Sequence, residues 1–357
     1  MLIYIIFILF SVCVFFVSMH VKNKTLSFFL ILFTILPLSI LEGFRDKNVG
    51  VDISVYGLDY FNYTLSLHSV NNIFNNEFAF DKGYLLLNYL CSSVSNNFNF
   101  FLFSSAVLKL SLVIYTLYTF RRNLDASLTL CCYLLFFYVA GFCLMRQSLA
   151  ISFCIFSVPF FLTKKNILAL IICIVAYFFH SSSVIFIFVL LSLYFVKIKI
   201  PFFYYVVIFV GIYVFSTVIL SYIDGLDVLR EGAVERYSDS GVNISKSNTL
   251  IILVSLFMQL YYYRKKDQIG DEMYRFLLFN NLFGLTLSYM ASQFEVAFRL
   301  AYYPFIITLI FTPYQLYRLK AQKTLFVFVL TFFIHFYITA LHGFGGAIPY
   351  TSKILGI

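Results

Sequence analysis

Apolar residues run in long blocks along the chain, at 2–20, 25–43, 98–120, 127–141, 142–162, 166–180, 181–196, 201–222, 248–263, 273–291, 300–317 and 324–341. Lipid offers no water to an exposed backbone, so blocks of this kind are helices. A membrane barrel would show short alternating segments, which the chain lacks. The pattern therefore predicts an all-α, polytopic integral membrane protein with ten to twelve spans, as one membrane domain over 1–357. The stretch 166–196 is where the count loosens. Two helices of about 15 residues there would each cover about 22 Å, short of a bilayer core of about 30 Å. The first block has no basic segment before it and no small-residue cleavage site after it, so it reads as the first membrane helix, not a removable signal.

The polar positions between the blocks orient the chain. Basic turns recur at Lys22/Lys24, Arg121/Arg122, Lys164/Lys165, Lys197/Lys199, Arg264/Lys265/Lys266 and Arg318/Lys320/Lys323. Each is separated from the next by two apolar blocks, so the positive-inside rule places all six in the cytoplasm and both termini outside. These turns hold 14 of the 25 Lys and Arg residues. Twelve of the 16 acids then fall on the outer side, the other four being Asp125, Asp267, Asp271 and Glu272. Two outer stretches are sizeable, about 44–97 and 223–247. In the first, Gly83 to Ser93 is apolar but too short to span, and is expected to lie in the interface or re-enter between helices.

Composition fits this picture. Of 357 residues, 62% are apolar and 11% charged, against about 25% charged in soluble domains. The net charge of +9 sits in short inter-helix turns and is no nucleic-acid signature. Seven cysteines lie almost wholly inside apolar blocks, without metal-ligand spacing, and read as small hydrophobes. No Walker, GxGxxG or GxSxG motif is present, so neither a metal site nor a cofactor is expected.

Candidate chemistry gathers on the outer side. The block ending at Leu41 breaks into Glu42-Gly43-Phe44-Arg45-Asp46-Lys47-Asn48-Val49-Gly50-Val51-Asp52, dense in charge and suited to an anionic ligand. Arg146, with Gln147 beside it, falls about one turn into the fifth span. An arginine at mid-membrane costs about 2.5–3.5 kcal/mol. It therefore either snorkels to the headgroups or meets a partner, an internal carboxylate or a bound anion. Guanidinium forks match two phosphate oxygens at once, and Arg45, Arg146 and Arg299 are suited to hold a diphosphate together. His180 opens the outer turn His180-Ser181-Ser182-Ser183, as a backbone-satisfying residue or a proton-transfer group. Glu295 and Arg299, four apart, either pair on a helix face or serve the site. Glu235-Arg236-Tyr237 in the second loop is placed to cover it.

These residues resemble the EpsG family of bacterial polysaccharide polymerases, which includes Wzy-type O-antigen polymerases. The likeness rests on Gly43-Phe44-Arg45-Asp46, Val49-Gly50-Val51-Asp52 with Tyr56, Glu77, Gly83-Tyr84, Arg146-Gln147-Ser148-Leu149-Ala150 and His180-Ser181-Ser182. It covers roughly residues 40–200, and continues only loosely through Phe294-Glu295 and Arg299. The resemblance implies a glycosyltransferase polymerising undecaprenyl-diphosphate-linked repeat units, for O-antigen or a related surface polysaccharide, at the periplasmic face of the bacterial inner membrane. It implies Asp52, Glu77, His180 or Glu295 as general base. Arg45, Asp46, Tyr56, Arg146, Gln147, Arg236 and Arg299 would bind substrate. Partners would be the lipid-linked oligosaccharide, membrane lipids, a chain-length regulator and a flippase, with no nucleic acid. A lipid-linked oligosaccharide flippase and a lipid-phosphate-dependent ligase are the rival readings.

The orientation can be tested directly. Cysteine labelling or reporter fusions at Arg121, Lys165 and Arg264 should report the cytoplasm, and those at Asp59 and Asp239 the outside. Opposite sides for Asp59 and Asp239 would break the convergence of the outer charges.

Overall fold

A computed structural model describes residues 1–74, 81–122, 125–215, 241–265, 268, 270–291 and 295–356, with backbone alone at 202, 241–248 and 295–296. The structure is 82% helical, and no strand occurs among the described residues. The α-helices are α1 (Leu2–His20), α2 (Lys24–Gly43), α3 (Leu58–Leu65), α4 (Asn71–Phe74), α5 (Lys82–Ser92), α6 (Phe98–Phe120), α7 (Ala126–Tyr133) and α8 (Met145–Leu162). They continue as α9 (Asn166–Phe179), α10 (Val184–Phe195), α11 (Phe202–Val214), α12 (Gly241–Tyr261), α13 (Asp271–Met290), α14 (Glu295–Arg318) and α15 (Gln322–Leu341). Among the described residues six segments are long and apolar enough to cross a bilayer: α1, α2, α6, α8, Ser181–Ile198 around α10, and α15. Shorter apolar helices supply α7 with its π-helical extension, α9, α11 and the end of α12. Each of the twelve apolar blocks falls on a helix, and the chain is a multi-pass, all-α membrane protein. The end of the 201–222 block lies outside the described residues, as does most of the second loop.

The chain forms two compact units, residues 1–184 with 340–357, and residues 185–339. In the first, α1 packs on α2 and α7, α2 on α6, α6 on α8, and α8 on α9. Side-chain caps start three of these helices. Asn23 accepts from the amides of Thr25 and Leu26, Asn97 from Asn99, and Asp125 from Leu128. Outward faces are apolar and exposed, as with Ile6, Phe10 and Phe16 on α1 and Phe28, Phe29 and Phe33 on α2. Such a surface suits acyl chains and would be a liability in water. Cys13 is exposed on that side, whereas Cys91, Cys131, Cys132, Cys154 and Cys173 are buried; all seven cysteines are free.

Within this unit α2 and α6 are joined by an ion pair, Lys109 Nζ to Glu42 Oε1 at 2.5 Å, with both side chains at most 5% exposed. Glu42 thus belongs to the helix interior, not to the polar cluster that follows it. The stretch between α2 and α6 is a packed cap. A π-helical turn, Ile53–Gly57, leads into α3, and the 83–93 segment becomes α5, which packs on α3, α6 and α9. Gly83 lets α5 touch α9: a Cβ there would come within 2.9 Å of the Phe178 backbone.

The C-terminal segment, to which the sequence assigned no role, is laid into this cap. Tyr4 donates to the Ala347 carbonyl at 2.7 Å, Tyr350 to the Leu41 carbonyl at 2.8 Å, and Ser352 to the Phe44 carbonyl. The Gly50 amide donates to the Gly346 carbonyl at 3.0 Å. Gly50 itself has φ 93°, and a Cβ would meet the Phe142 carbonyl oxygen at 2.4 Å, so no side chain fits.

The second unit has a polar core. Asn281 donates to the Ser255 hydroxyl (3.0 Å) and the Gln259 side-chain oxygen (2.8 Å), and accepts from Thr308 at 2.5 Å. Ser255 and Thr312 share a further bond at 2.7 Å. Hydrogen bonds of this kind hold helices together where lipid removes the hydrophobic driving force. They tie α12, α13 and α14.

The Glu42–Lys109 pair makes a stability prediction. Glu42→Gln or Lys109→Met alone leaves one uncompensated charge, and should cost about 3–5 kcal/mol. Glu42→Gln combined with Lys109→Met should recover most of it. Thermal unfolding of the purified protein in detergent checks this: additive losses in the double variant would show that the pair carries no coupling.

Candidate functional site

The site grows from the N-terminus of α8. The first amide of that helix, Met145, donates to Asp52 Oδ2 at 2.8 Å. The Tyr56 hydroxyl donates to the same oxygen. The π-helical turn between Asp52 and Tyr56 sets both on one side, so a carboxylate and a phenol meet a helix end where backbone N–H groups carry partial positive charge. Burial, with the Asp52 carboxylate next to it, pushes the Tyr56 phenol well above its ordinary value. Tyr56 therefore stays protonated and acts as a donor. Asp52 is an anchor that joins the outer cap to α8.

One residue further on, Arg146 forms an ion pair with Asp81, and its guanidinium lies over the Tyr56 ring at 4.2 Å. Its side chain is 25% exposed, that of Asp81 5%. Asp81 is an internal carboxylate of the kind the sequence offered as one partner. Asp81 was the residue sequence reasoning passed over, as one acid in a polar loop. Its position immediately before Lys82-Gly83-Tyr84, where α5 starts, was the available signal. Tyr56, Tyr60 and Tyr84 stack edge to face around this pair at 5.7–6.1 Å. Burial first, then the Asp52 charge, raises the Tyr84 phenol too.

Arg45 is 1% exposed and packs over the Phe142 ring at 4.3 Å. Its Nε and both terminal nitrogens make no hydrogen bond among the described residues. An aromatic face attracts a desolvated cation by about 2 kcal/mol, well below the cost of burying it. Its positive charge is thus stored in the cap. Asp46 faces the other way: its carboxylate accepts from the Lys353 amide at 3.0 Å and its amide donates to the Thr351 carbonyl. It fastens the C-terminal segment.

Gln147 is buried on α8. His180 caps the 3₁₀ turn Ser181–Ser183: its Nδ1 accepts from the Ser182 amide (3.3 Å) and lies 2.6 Å from the Ser182 hydroxyl. His180 thereby fixes the turn that leads into α10. The end of α9 that carries it packs against the start of α5, since Gly83, two residues from Asp81, rests on Phe178, two residues from His180.

Arg299 belongs to the second unit, on α14, with its guanidinium 5.8 Å from the Phe298 ring. Glu295 begins that helix, and its side chain lies outside the described residues, as do Glu77 and Arg236. The first unit thus brings together Arg45, Asp52, Tyr56, Arg146 and Gln147, with His180 adjoining.

A model of the EpsG family matches residues 28–352, nearly the whole chain. No curated protein and no solved structure matches it.

The geometry separates a charge that serves the site from one that builds it. Asp52→Asn keeps an acceptor for Met145 and Tyr56, so it should retain most activity and an unshifted pH profile. Arg146→Lys keeps the charge but loses the planar fork and its stacking. It should lose most activity, about 2 kcal/mol of transition-state binding or more, while inserting and accumulating normally. Glycan chain synthesis in membranes carrying each variant checks both; near-normal chains from Arg146→Lys would show a purely structural arginine.

Proposed function

Because this chain belongs to the EpsG family, a Wzy-like polymerase family, we propose that it polymerises undecaprenyl-diphosphate-linked oligosaccharide units at the outer face of the bacterial inner membrane. The observation that supports this reading is Arg146. It is partly exposed, steered by Asp81 and Tyr56, and backed by the unspent charge of Arg45.

In the reaction an acceptor hydroxyl oxygen attacks the anomeric carbon of the growing glycan. The bond from that carbon to the diphosphate oxygen breaks, the lipid diphosphate leaves, and the hydroxyl proton passes to a base. The leaving group is already activated, so the protein's work is positioning and neutralising charge. Arg146 meets the diphosphate with its forked donors. Arg45 adds positive potential from within the cap without touching it. Asp52 is committed to the α8 terminus, which leaves His180 and Glu77 as the first unit's candidates for the general base, with Glu295 in the second unit. Gln147 and Arg236 complete the proposed substrate contacts, and Asp46 contributes by holding the segment that carries Arg45. A flippase would need charges lining a path through both leaflets. Lys109, a charge buried inside α6, is instead locked to Glu42.

Deletion of the gene separates the readings. A polymerase mutant should still export single repeat units, so that its lipid is capped with one unit only. Loss of a flippase would trap units inside, and loss of a ligase would leave long polymer on the carrier. Gel-resolved glycans read the outcome; a full ladder of chain lengths, with no second polymerase present, would sink the proposal.

A further inference from the structure

The cap contains a second feature that the charged centre does not use. A cleft of about 630 Å³ opens between α3 and the turn that starts α6, with Lys47 at its edge. Its volume is in the range of small-molecule sites, roughly 300–1,000 Å³. Its chemistry is unlike the arginine centre, because amides dominate it: Asn62, Asn96, Asn97 and Asn99. Each amide offers two donors and one acceptor, a set that matches neighbouring hydroxyl groups. A single cation is too few for a nucleic acid, and so polar a wall does not suit an acyl chain.

Two of the four amides are committed to the wall. Asn97 Oδ1 accepts from the Asn99 amide, and Asn99 Nδ2 donates to the Gly43 carbonyl at 2.7 Å. The side chains of Asn62 and Asn96 are exposed, as is Lys47. Phe61 and Phe98, edge to face at 5.4 Å, are buried beneath the cleft and hold its wall in place.

The cleft is joined to the charged centre by covalent structure and by packing. Lys47 follows Arg45 by two residues, and the Asn99 amide reaches the Arg45 carbonyl at 3.4 Å. On the other side Phe98 stacks on Phe101, which meets Tyr84 of the tyrosine cluster at 5.5 Å. We infer that this cleft holds the oligosaccharide of the substrate, with an acidic sugar against Lys47, beside the centre that holds its diphosphate. The inference rests on the polymerase reading for the identity of that substrate.

The test uses the full-length protein in lipid nanodiscs. The probe is lipid-free oligosaccharide, released by mild acid from the producing strain's own lipid-linked units, and calorimetry or saturation-transfer NMR reads binding. Asn62→Ala with Asn96→Ala should weaken binding about tenfold without moving the thermal unfolding midpoint, since both side chains are exposed. Lys47→Glu should weaken binding of the native saccharide and leave its carboxyl-reduced form unchanged. Unaltered affinity in the double variant would overturn the cleft assignment, and equal effects of Lys47→Glu on both forms would overturn the acidic sugar. The two proposals fail separately. A wild-type protein that binds no saccharide, in a strain whose deletion stops at single units, refutes the cleft and leaves the polymerase. Saccharide binding that the double variant weakens, in a strain whose deletion keeps its ladder, does the reverse.

Discussion

A charge taken out of water must be neutralised close by, and the first unit of this protein is arranged around that constraint. Among its described residues Lys109, Arg45, Glu42, Asp52 and Asp81 are buried and Arg146 is partly so. Each is handled differently. Lys109 and Glu42 meet directly inside the helix pair, which fixes α2 against α6. Asp52 is satisfied by a helix N-terminus and a phenol, which fixes the outer cap against α8. Arg146 is held by Asp81 and a tyrosine face, which brings the start of α5 to the same place. Arg45 alone has a ring in place of an anion. These pairings fix which segments of the cap meet, and Val49, Ile53, Phe61, Tyr84 and Leu85 bury its apolar side beneath them.

The backbone is shaped to let these groups approach. Gly50 permits the chain to pass against the Phe142 carbonyl while Arg45 lies over the ring of the same residue. The Ile53–Gly57 turn winds loosely enough to aim both Asp52 and Tyr56 at α8. From the other end, the segment around Gly346–Lys353 closes over residues 41–50 by backbone bonds at Asp46 and Gly50. Sequence distance is no guide here, since the two ends of the chain share one site.

The helices were legible because lipid imposes a long apolar block on every span, and each block became a helix where the structure describes it. The charged centre was legible in its cations, since an arginine after a membrane exit or inside a span is costly enough to demand an explanation. Its carboxylates were harder to read. Asp81 looks like any loop acid, and Asp52 looks like a base until the α8 amide is placed upon it. Glu42 read as the first charge of a polar cluster because Gly43 follows it. Only the packing of α2 on α6 reveals Lys109 as its partner. The C-terminal segment carried no signal, as its polar contacts are through backbone and its glycines match no motif.

The division of labour inside the cap is physical. A diphosphate is recognised by charge and by forked donors, and it is best met where water is excluded, because there each charge acts at greater strength. A saccharide is recognised by neutral amides that exchange hydrogen bonds with hydroxyl groups, and it tolerates an open, wet cleft because water-mediated bonds cost little. One stretch of backbone, residues 43–47, borders both environments: Arg45 turns inward to the aromatic interior and Lys47 outward to the amides. The substrate we propose, with a charged lipid end and a hydroxylated sugar end, would meet these two surfaces side by side. The Asn99 amide, bonded to the Gly43 and Arg45 carbonyls, holds that border in place.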